Sequence, residues 1–217
     1  MKKPYIIGID EAGRGPLAGP LVVAGIKIAT SDMRQETWIF KGIKDSKKLT
    51  AKRREEWFRL LIGHPKIEWA VARISPKIID RINSYHAAQL GAWRVYQKLS
   101  TNNEFITNKR ISEYPNSIRK FAGDSLFADQ RMVLLDGSLH LPKHIPQKTI
   151  IKGDEKIPII SAASIIAKVT RDRIMLRLHK KYPQYRFDLH KGYGTKLHRE
   201  RMEEWGRCEI HRASFRL

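Results

Sequence analysis

Two aspartates in this 217-residue chain share a setting that suits cation chemistry. Asp10 ends the β-favouring run that starts at Pro4 (Tyr5, Ile6, Ile7, Ile9), with Glu11 directly after it, and Asp136 ends the apolar run that starts at Met132. A glycine-containing turn follows each. In α/β sheets the carboxyl ends of buried strands open into the crevice where ligands bind. If the two strands are parallel neighbours, strand spacing brings the carboxylates within several ångströms of each other. Like charges that close require a proton or a bridging cation, and hard oxygen ligands favour Mg²⁺ or Mn²⁺ over zinc. The plainer alternative is that each aspartate caps the turn after it. Adjacent strand residues face opposite ways, so Asp10 and Glu11 cannot build a metal site unaided. Three further carboxylates are available. Asp154 follows a short apolar strand, in Lys152-Gly153-Asp154, and that position favours it. Asp172 lies four residues after Lys168, where an i,i+4 ion pair accounts for it, and Asp188 sits among aromatic and basic residues.

Groups suited to phosphate stand close by. Gly13-Arg14-Gly15 follows the acidic pair at once; glycines let backbone N–H groups approach an anion, and Arg14 offers a forked donor. No Gly-Lys-Ser/Thr follows, so this is not a nucleotide-binding P-loop. Asp45-Ser46-Lys47-Lys48 is a second candidate, or a solvated turn. His190–Thr195 sets Tyr193 between two glycines in basic surroundings; an exposed ring there could stack on a base or sugar, whereas a buried one would fill a turn. The charge points the same way: 42 Lys+Arg against 22 Asp+Glu give a net +20 and a pI near 10.2, a field that attracts polyanions. Nothing resembles a lipid-binding helix or a long apolar span. One cysteine, Cys208, excludes an internal disulfide framework and a multi-cysteine zinc site. No Gly-x-Ser-x-Gly elbow supports a serine hydrolase. The run Tyr5–Ile9 is too short for a signal-peptide core, so a cytoplasmic protein is expected.

The elements that must position these groups can be read from periodicity. Strands are expected at Pro4–Asp10, Leu21–Ile28, Ile67–Ile74, Met132–Asp136 and Thr149–Lys152. Thr50 can cap a helix through Trp57, Phe58 and Leu61. Ser75-Pro76 opens another, with Ile78, Ile82, Tyr85, Ala92, Tyr96 and Leu99 on its apolar face. Ser161 is expected to open a third through Ile165, Ile166, Val169, Leu176 and Leu178, and Lys196–Trp205 reads as helical. Residues 100–130 are polar and irregular. An α/β fold follows: a mixed five-stranded sheet flanked by helices, forming one domain over 1–217 with a helical C-terminal extension from about 180.

Taken together, the motifs resemble one family. Ile9-Asp10-Glu11-Ala12-Gly13-Arg14-Gly15-Pro16-Leu17-Ala18-Gly19-Pro20 is similar to the opening signature of the ribonuclease HII family. The likeness continues through Asp45–Leu49, Ile79-Asp80, Leu135-Asp136-Gly137, Lys152-Gly153-Asp154, Ile160–Arg173 and Gly192–Thr195, ending at His211-Arg212-x-Ser214-Phe215. The resemblance implies a ribonuclease H-like fold and a metal-dependent endonuclease using Mn²⁺ or Mg²⁺. It implies cleavage of RNA in RNA/DNA hybrids, and of duplex DNA on the 5′ side of single embedded ribonucleotides, as in ribonucleotide excision repair. It also implies that Asp10, Glu11, Asp136 and Asp154 are catalytic and metal-binding, and that Gly13, Arg14, Gly15, Lys47 and Tyr193 bind substrate. A monomer is expected. The alternatives are a ribonuclease HIII-like nuclease, which normally carries an extra N-terminal domain, and a non-catalytic basic nucleic-acid-binding protein. Two departures stand out: the family's Ile-Asn-Ile-Leu stretch reads Ile82-Asn83-Ser84-Tyr85, and the segment between Leu99 and Met132 is longer than is typical.

Overall fold

The computed structural model describes residues 4–35, 40, 42, 43, 49–100 and 131–216. Five strands form one sheet: β1 (Tyr5–Ala12), β2 (Leu21–Ala29), β3 (Glu68–Ile74), β4 (Arg131–Asp136) and β5 (Gln147–Ile150), in the order β3-β2-β1-β4-β5. β1 and β2 pair antiparallel, as do β2 and β3, whereas β1–β4 and β4–β5 are parallel. The mixed sheet expected from the sequence is therefore present. β1 extends beyond Asp10 to include both acidic residues, and β5 lies two residues earlier than expected. Its Ile151 and Lys152 are a turn, and Lys152 adopts φ 56°, ψ 44°.

Helices cover both faces because both faces are apolar. On one side α3 (Pro76–Ser100) packs Ala88, Ala92 and Val95 against Ile7, Ile9, Val133 and Leu135. On the other, α2 (Ala51–Gly63) and α5 (Pro158–Lys181) pack against Ile6, Ala24, Ile26, Met132 and Leu134. As expected, Thr50 caps α2: its Oγ1 accepts from the Arg53 N–H at 3.2 Å. Two readings need correction. α5 starts at Pro158, so Ser161 lies inside it and donates to the carbonyls of Asp154 and Ile157 instead of capping. α3 is broken at Asn83 (φ 62°, ψ 169°), whose Oδ1 accepts from the N–H groups of Tyr85 and His86 and starts the helix afresh. This turns Tyr85 outward to 40% exposure. Leu176, expected on the α5 apolar face, is likewise exposed.

The first half of α5 is apolar nearly all round, as a helix buried on every side must be. It crosses β1 so closely that a Cβ on Gly8 would lie 2.7 Å from the Ile159 carbonyl carbon and oxygen. Short helices not anticipated from the sequence are α1 (Thr30–Gln35), α4 (Gly153–Lys156) and α6 (Phe187–His190); α7 (Lys196–Trp205) falls where expected. A third apolar cluster gathers Leu17, Ala18, Met175, Tyr185, Phe187, Met202 and Ile210, joining the C-terminal segment to the loop after β1. Lys47, with its neighbours in the Asp45–Lys48 motif, and residues 101–130 lie outside the described residues.

Candidate active site

The sheet brings the two strand-end aspartates side by side. The last registered pair of the parallel β1–β4 ladder is Ile9↔Leu135, and Asp10 and Asp136 follow it on their respective strands. Alternation puts both on the α5 side of the sheet, with Ile6 and Leu134. Asp10 is 3% exposed; its Oδ1 accepts from the Glu11 N–H at 2.7 Å, and the Ser164 hydroxyl of α5 bonds its carboxylate. Burial, then the charges of Glu11 and Asp136, push the Asp10 carboxyl well above the usual carboxylate range. Burial raises Glu11 as well, against the opposing pull of Arg14, and Asp136 adds to the rise.

The Asp136 carboxylate caps a distant segment and not, as the plainer alternative had it, the turn that follows it. Its Oδ1 accepts from the N–H groups of Gly153 (2.6 Å) and Asp154 (3.3 Å), capping α4 and drawing the buried Asp154 to the same corner. A cap and a cation ligand are compatible roles, since a carboxylate has two oxygens and several lone pairs. Asp172 and Asp188 are not part of this group: Asp172 accepts from Lys168 at 2.9 Å, and Asp188 pairs with His179 and Arg186.

Hard divalent cations fit the donor set. Oε2 of Glu11 is buried with no hydrogen-bond partner, a costly state for a charged oxygen unless a cation or proton meets it. Among the described residues no three or more His, Cys, Asp or Glu side chains stand close enough together to hold a metal ion as they are.

The glycine loop adjoins the carboxylates. Arg14 Nη1 bonds Glu11 Oε1 at 3.3 Å and Ser138 Oγ at 2.8 Å, so the guanidinium spans the gap between β1 and the turn after β4. Below the loop lie two buried arginines that sequence reasoning passed over, although both fall in the matched blocks. Arg212 donates to the carbonyls of Gly13 (2.6 Å), Arg14 (2.7 Å) and Gly19, and Arg171 to those of Ala18 and Pro20. A trans peptide holds its C=O and N–H in opposite directions. With the Gly13 and Arg14 carbonyls drawn toward Arg212, the N–H groups of Arg14 and Gly15 face away from it. Gly13 has φ 94°, and any Cβ there would run into Arg171.

Tyr193 borders the same loop. Its ring is 42% exposed and lies 5.5 Å from the Arg171 guanidinium carbon and 5.7 Å from Lys168 Nζ. The next residue back, Gly192, accepts from the N–H groups of Leu17 (2.8 Å) and Ala18 (3.2 Å). The structure thus sets Asp10 beside Asp136 at the ends of adjacent strands, with Glu11 next in chain before the Gly13–Gly15 loop and the backbone of Asp154 held by the Asp136 carboxylate.

Comparison with known proteins identifies the family and the fold. A family model described as Ribonuclease HII matches residues 7–217. The Ribonuclease HII of Caldicellulosiruptor bescii is 40% identical over 211 residues, covering 97% of this chain and 86% of that protein. The structure of the PCNA:RNase HII complex from Archaeoglobus fulgidus is similar with a TM-score of 0.65 at 27% identity, covering 98% of this chain and 96% of that one. A structure of Bst-RNase HIII in complex with Mn²⁺ shares the fold, with a TM-score of 0.68 at 17% identity, covering 97% of this chain and 67% of that one.

Proposed function

Since the chain belongs to the ribonuclease HII family, a type 2 ribonuclease H acting on RNA/DNA with divalent metal, we propose that Asp10, Glu11, Asp136 and Asp154 form its catalytic, metal-binding centre. The observation that carries this reading is the register of Asp10 beside Asp136, next to the buried and unpartnered Oε2 of Glu11. Divalent cations, Mn²⁺ or Mg²⁺, would supply an activated water and neutralise charge on the leaving 3′-oxygen. Burial and mutual repulsion disfavour the charged form of Asp10 and Glu11 in this desolvated corner, a cost that bound divalent cations would relieve. The N–H groups of Arg14 and Gly15, turned outward by Arg212, read the 2′-hydroxyl that distinguishes RNA from DNA. Arg14 and Lys47 hold phosphates, and Tyr193 lies against the sugar of the deoxynucleotide after the ribonucleotide. Substrates are then RNA/DNA hybrids and duplex DNA with single ribonucleotides, cut on the 5′ side. We read the protein as a cytoplasmic monomer; among the described residues no helix is long and apolar enough to cross a membrane.

One set of assays tests the reading. With Mg²⁺ or Mn²⁺ the protein should nick a duplex bearing one ribonucleotide, leaving 3′-hydroxyl and 5′-phosphate ends, and Asp10→Asn should lower the rate at least about a thousandfold, the scale of a lost transition-state contact. Robust cutting by an Asp10→Asn, Asp136→Asn double variant would remove the assignment of the centre. Tyr193→Ala should reduce cleavage at a single ribonucleotide more than cleavage of a long hybrid; an equal loss on both would remove its junction role.

A further inference from the structure

Behind Tyr193 lie three buried histidines: His190 (8% exposed), His198 (0%) and His211 (6%). Their contacts leave little freedom for the ring protons. His198 Nδ1 sits 2.9 Å from the Tyr193 carbonyl oxygen, which can only accept, so Nδ1 carries a hydrogen. The Cys208 backbone N–H points at His211 Nδ1 at 2.9 Å and can only donate, so that nitrogen presents its lone pair. The Cys208 carbonyl oxygen lies farther from Nδ1, at 3.3 Å, and already accepts from the backbone N–H of His211 at 3.0 Å, while Cys208 Sγ, at 3.2 Å, can donate to the same lone pair. Between the rings, Nε2 of His198 and Nε2 of His211 stand 3.1 Å apart and share one hydrogen. For two neutral rings one assignment satisfies the Tyr193 carbonyl, the Cys208 N–H and the contact between the rings together: His198 is the Nδ1–H tautomer, and His211 the Nε2–H tautomer donating to His198. A second proton on either ring would turn one acceptor into a donor facing another donor.

We propose that His198 and His211 form a positioning pair for recognition of the ribonucleotide–deoxyribonucleotide junction, with their opposed tautomers fixing Tyr193 relative to the Gly13–Gly15 loop. The inference rests on the substrate role given to Tyr193 above. His198 reaches the Tyr193 loop, at the N-terminal end of α7, where Thr195 caps the helix. His211 sits on the other side, in the Ala18↔His211 bridge, one residue from the Arg212 that holds the Gly13 and Arg14 carbonyls. The single hydrogen between the rings therefore joins the two recognition elements across the interior. The surroundings keep both rings neutral. His190 stacks on His198 at 4.3 Å, Tyr185 and Phe187 pack edge-on or tilted against His211, and Arg207 is the charged group facing it. Burial, more than these neighbours, lowers both imidazoles to about 4.

The first test reads the tautomers in the whole wild-type protein. Long-range proton–nitrogen NMR at pH 7, assigned with the variants below, should give His198 a protonated Nδ1 and bare Nε2, and His211 the reverse. An Nε2–H tautomer at His198 would overturn the pairing. The second test reads substrate selection. His198→Ala should lower the ratio of kcat/KM on a single-ribonucleotide duplex to that on a long hybrid about tenfold, the size of one well-placed hydrogen bond. His198→Asn should recover most of this, because its amide nitrogen sits where Nδ1 was, and His211→Gln should likewise exceed His211→Ala. In a Tyr193→Ala background, His198→Ala should leave the ratio unchanged. Equal loss on both substrates, or no rescue by asparagine, would mean that the pair only supports the fold and would overturn the proposal. If Tyr193→Ala alone leaves the ratio unchanged, the role of Tyr193 fails and takes this function with it. The NMR result is separate, so the two failures are distinguishable.

Discussion

At the scale of single residues, the candidate site rests on buried side chains as well as on exposed ones. Arg212 is 1% exposed yet takes up the carbonyls of Gly13, Arg14 and Gly19. Burial, then Arg171, lowers its guanidinium to about 9, so the protein meets a desolvation cost to keep that charge beneath the loop. Arg212→Met has a similar volume but leaves three buried carbonyls without donors, each costing about 1–3 kcal/mol. Urea denaturation should show it less stable by several kcal/mol. Metal-dependent cleavage should fall in the surviving folded fraction, since the N–H groups of Arg14 and Gly15 lose their orientation. Wild-type cleavage in a correctly folded Arg212→Met would contradict the loop argument. Asp10, Glu11 and Asp136 were legible in the sequence because each sits at the end of an apolar run. Arg171 and Arg212 were not, because a basic residue in a basic chain looks solvated until its surroundings are known.

At the scale of elements, the informative departure is in α3. The apolar spacing from Ile78 to Leu99 predicts one continuous helix, and the chain breaks it at Asn83 because that side chain serves the second half as an N-cap. Positive φ with extended ψ is a region used almost only by glycine. Asn83→Gly should relieve that strain while losing the cap, leaving thermal stability nearly unchanged. Asn83→Ala keeps the strain and loses the cap, and should cost about 1–2 kcal/mol; an Ala variant as stable as the Gly variant would show that the backbone there is unstrained. The two Ser readings diverged for a related reason. Ser75 lies ahead of Pro76 and starts a helix, whereas Ser161 lies within one, because Pro158 had already opened it. Local preference identifies candidate caps, and packing of α5 over β1 chooses among them.

At the scale of the whole molecule, charge and topology act separately. The net +20 governs encounter with a polyanion, with little regard to sequence. Accordingly, log kcat/KM on a ribonucleotide-containing duplex should fall linearly with log salt, with a slope equivalent to several neutralised phosphates; a flat dependence would mean that the charge plays no part in binding. Topology decides the rest. The sequence alone determined that the chain is α/β, which runs are strands, that carboxylates stand at two strand ends, and, through its motif blocks, which family it resembles. Those properties are local: they depend on residue type, period and order. Only the tertiary structure decided that β4 lies parallel and next to β1, so that Asp10 meets Asp136, and that Asp136 caps α4 and brings in Asp154. It alone placed Arg171, Arg212, His198 and His211 behind the Gly13–Gly15 and Tyr193 loops, with more than 190 residues separating Gly13 from the arginine that holds it. Contacts across such separations leave no periodic trace, because the energy that selects them comes from burial shared among elements and not from any one segment.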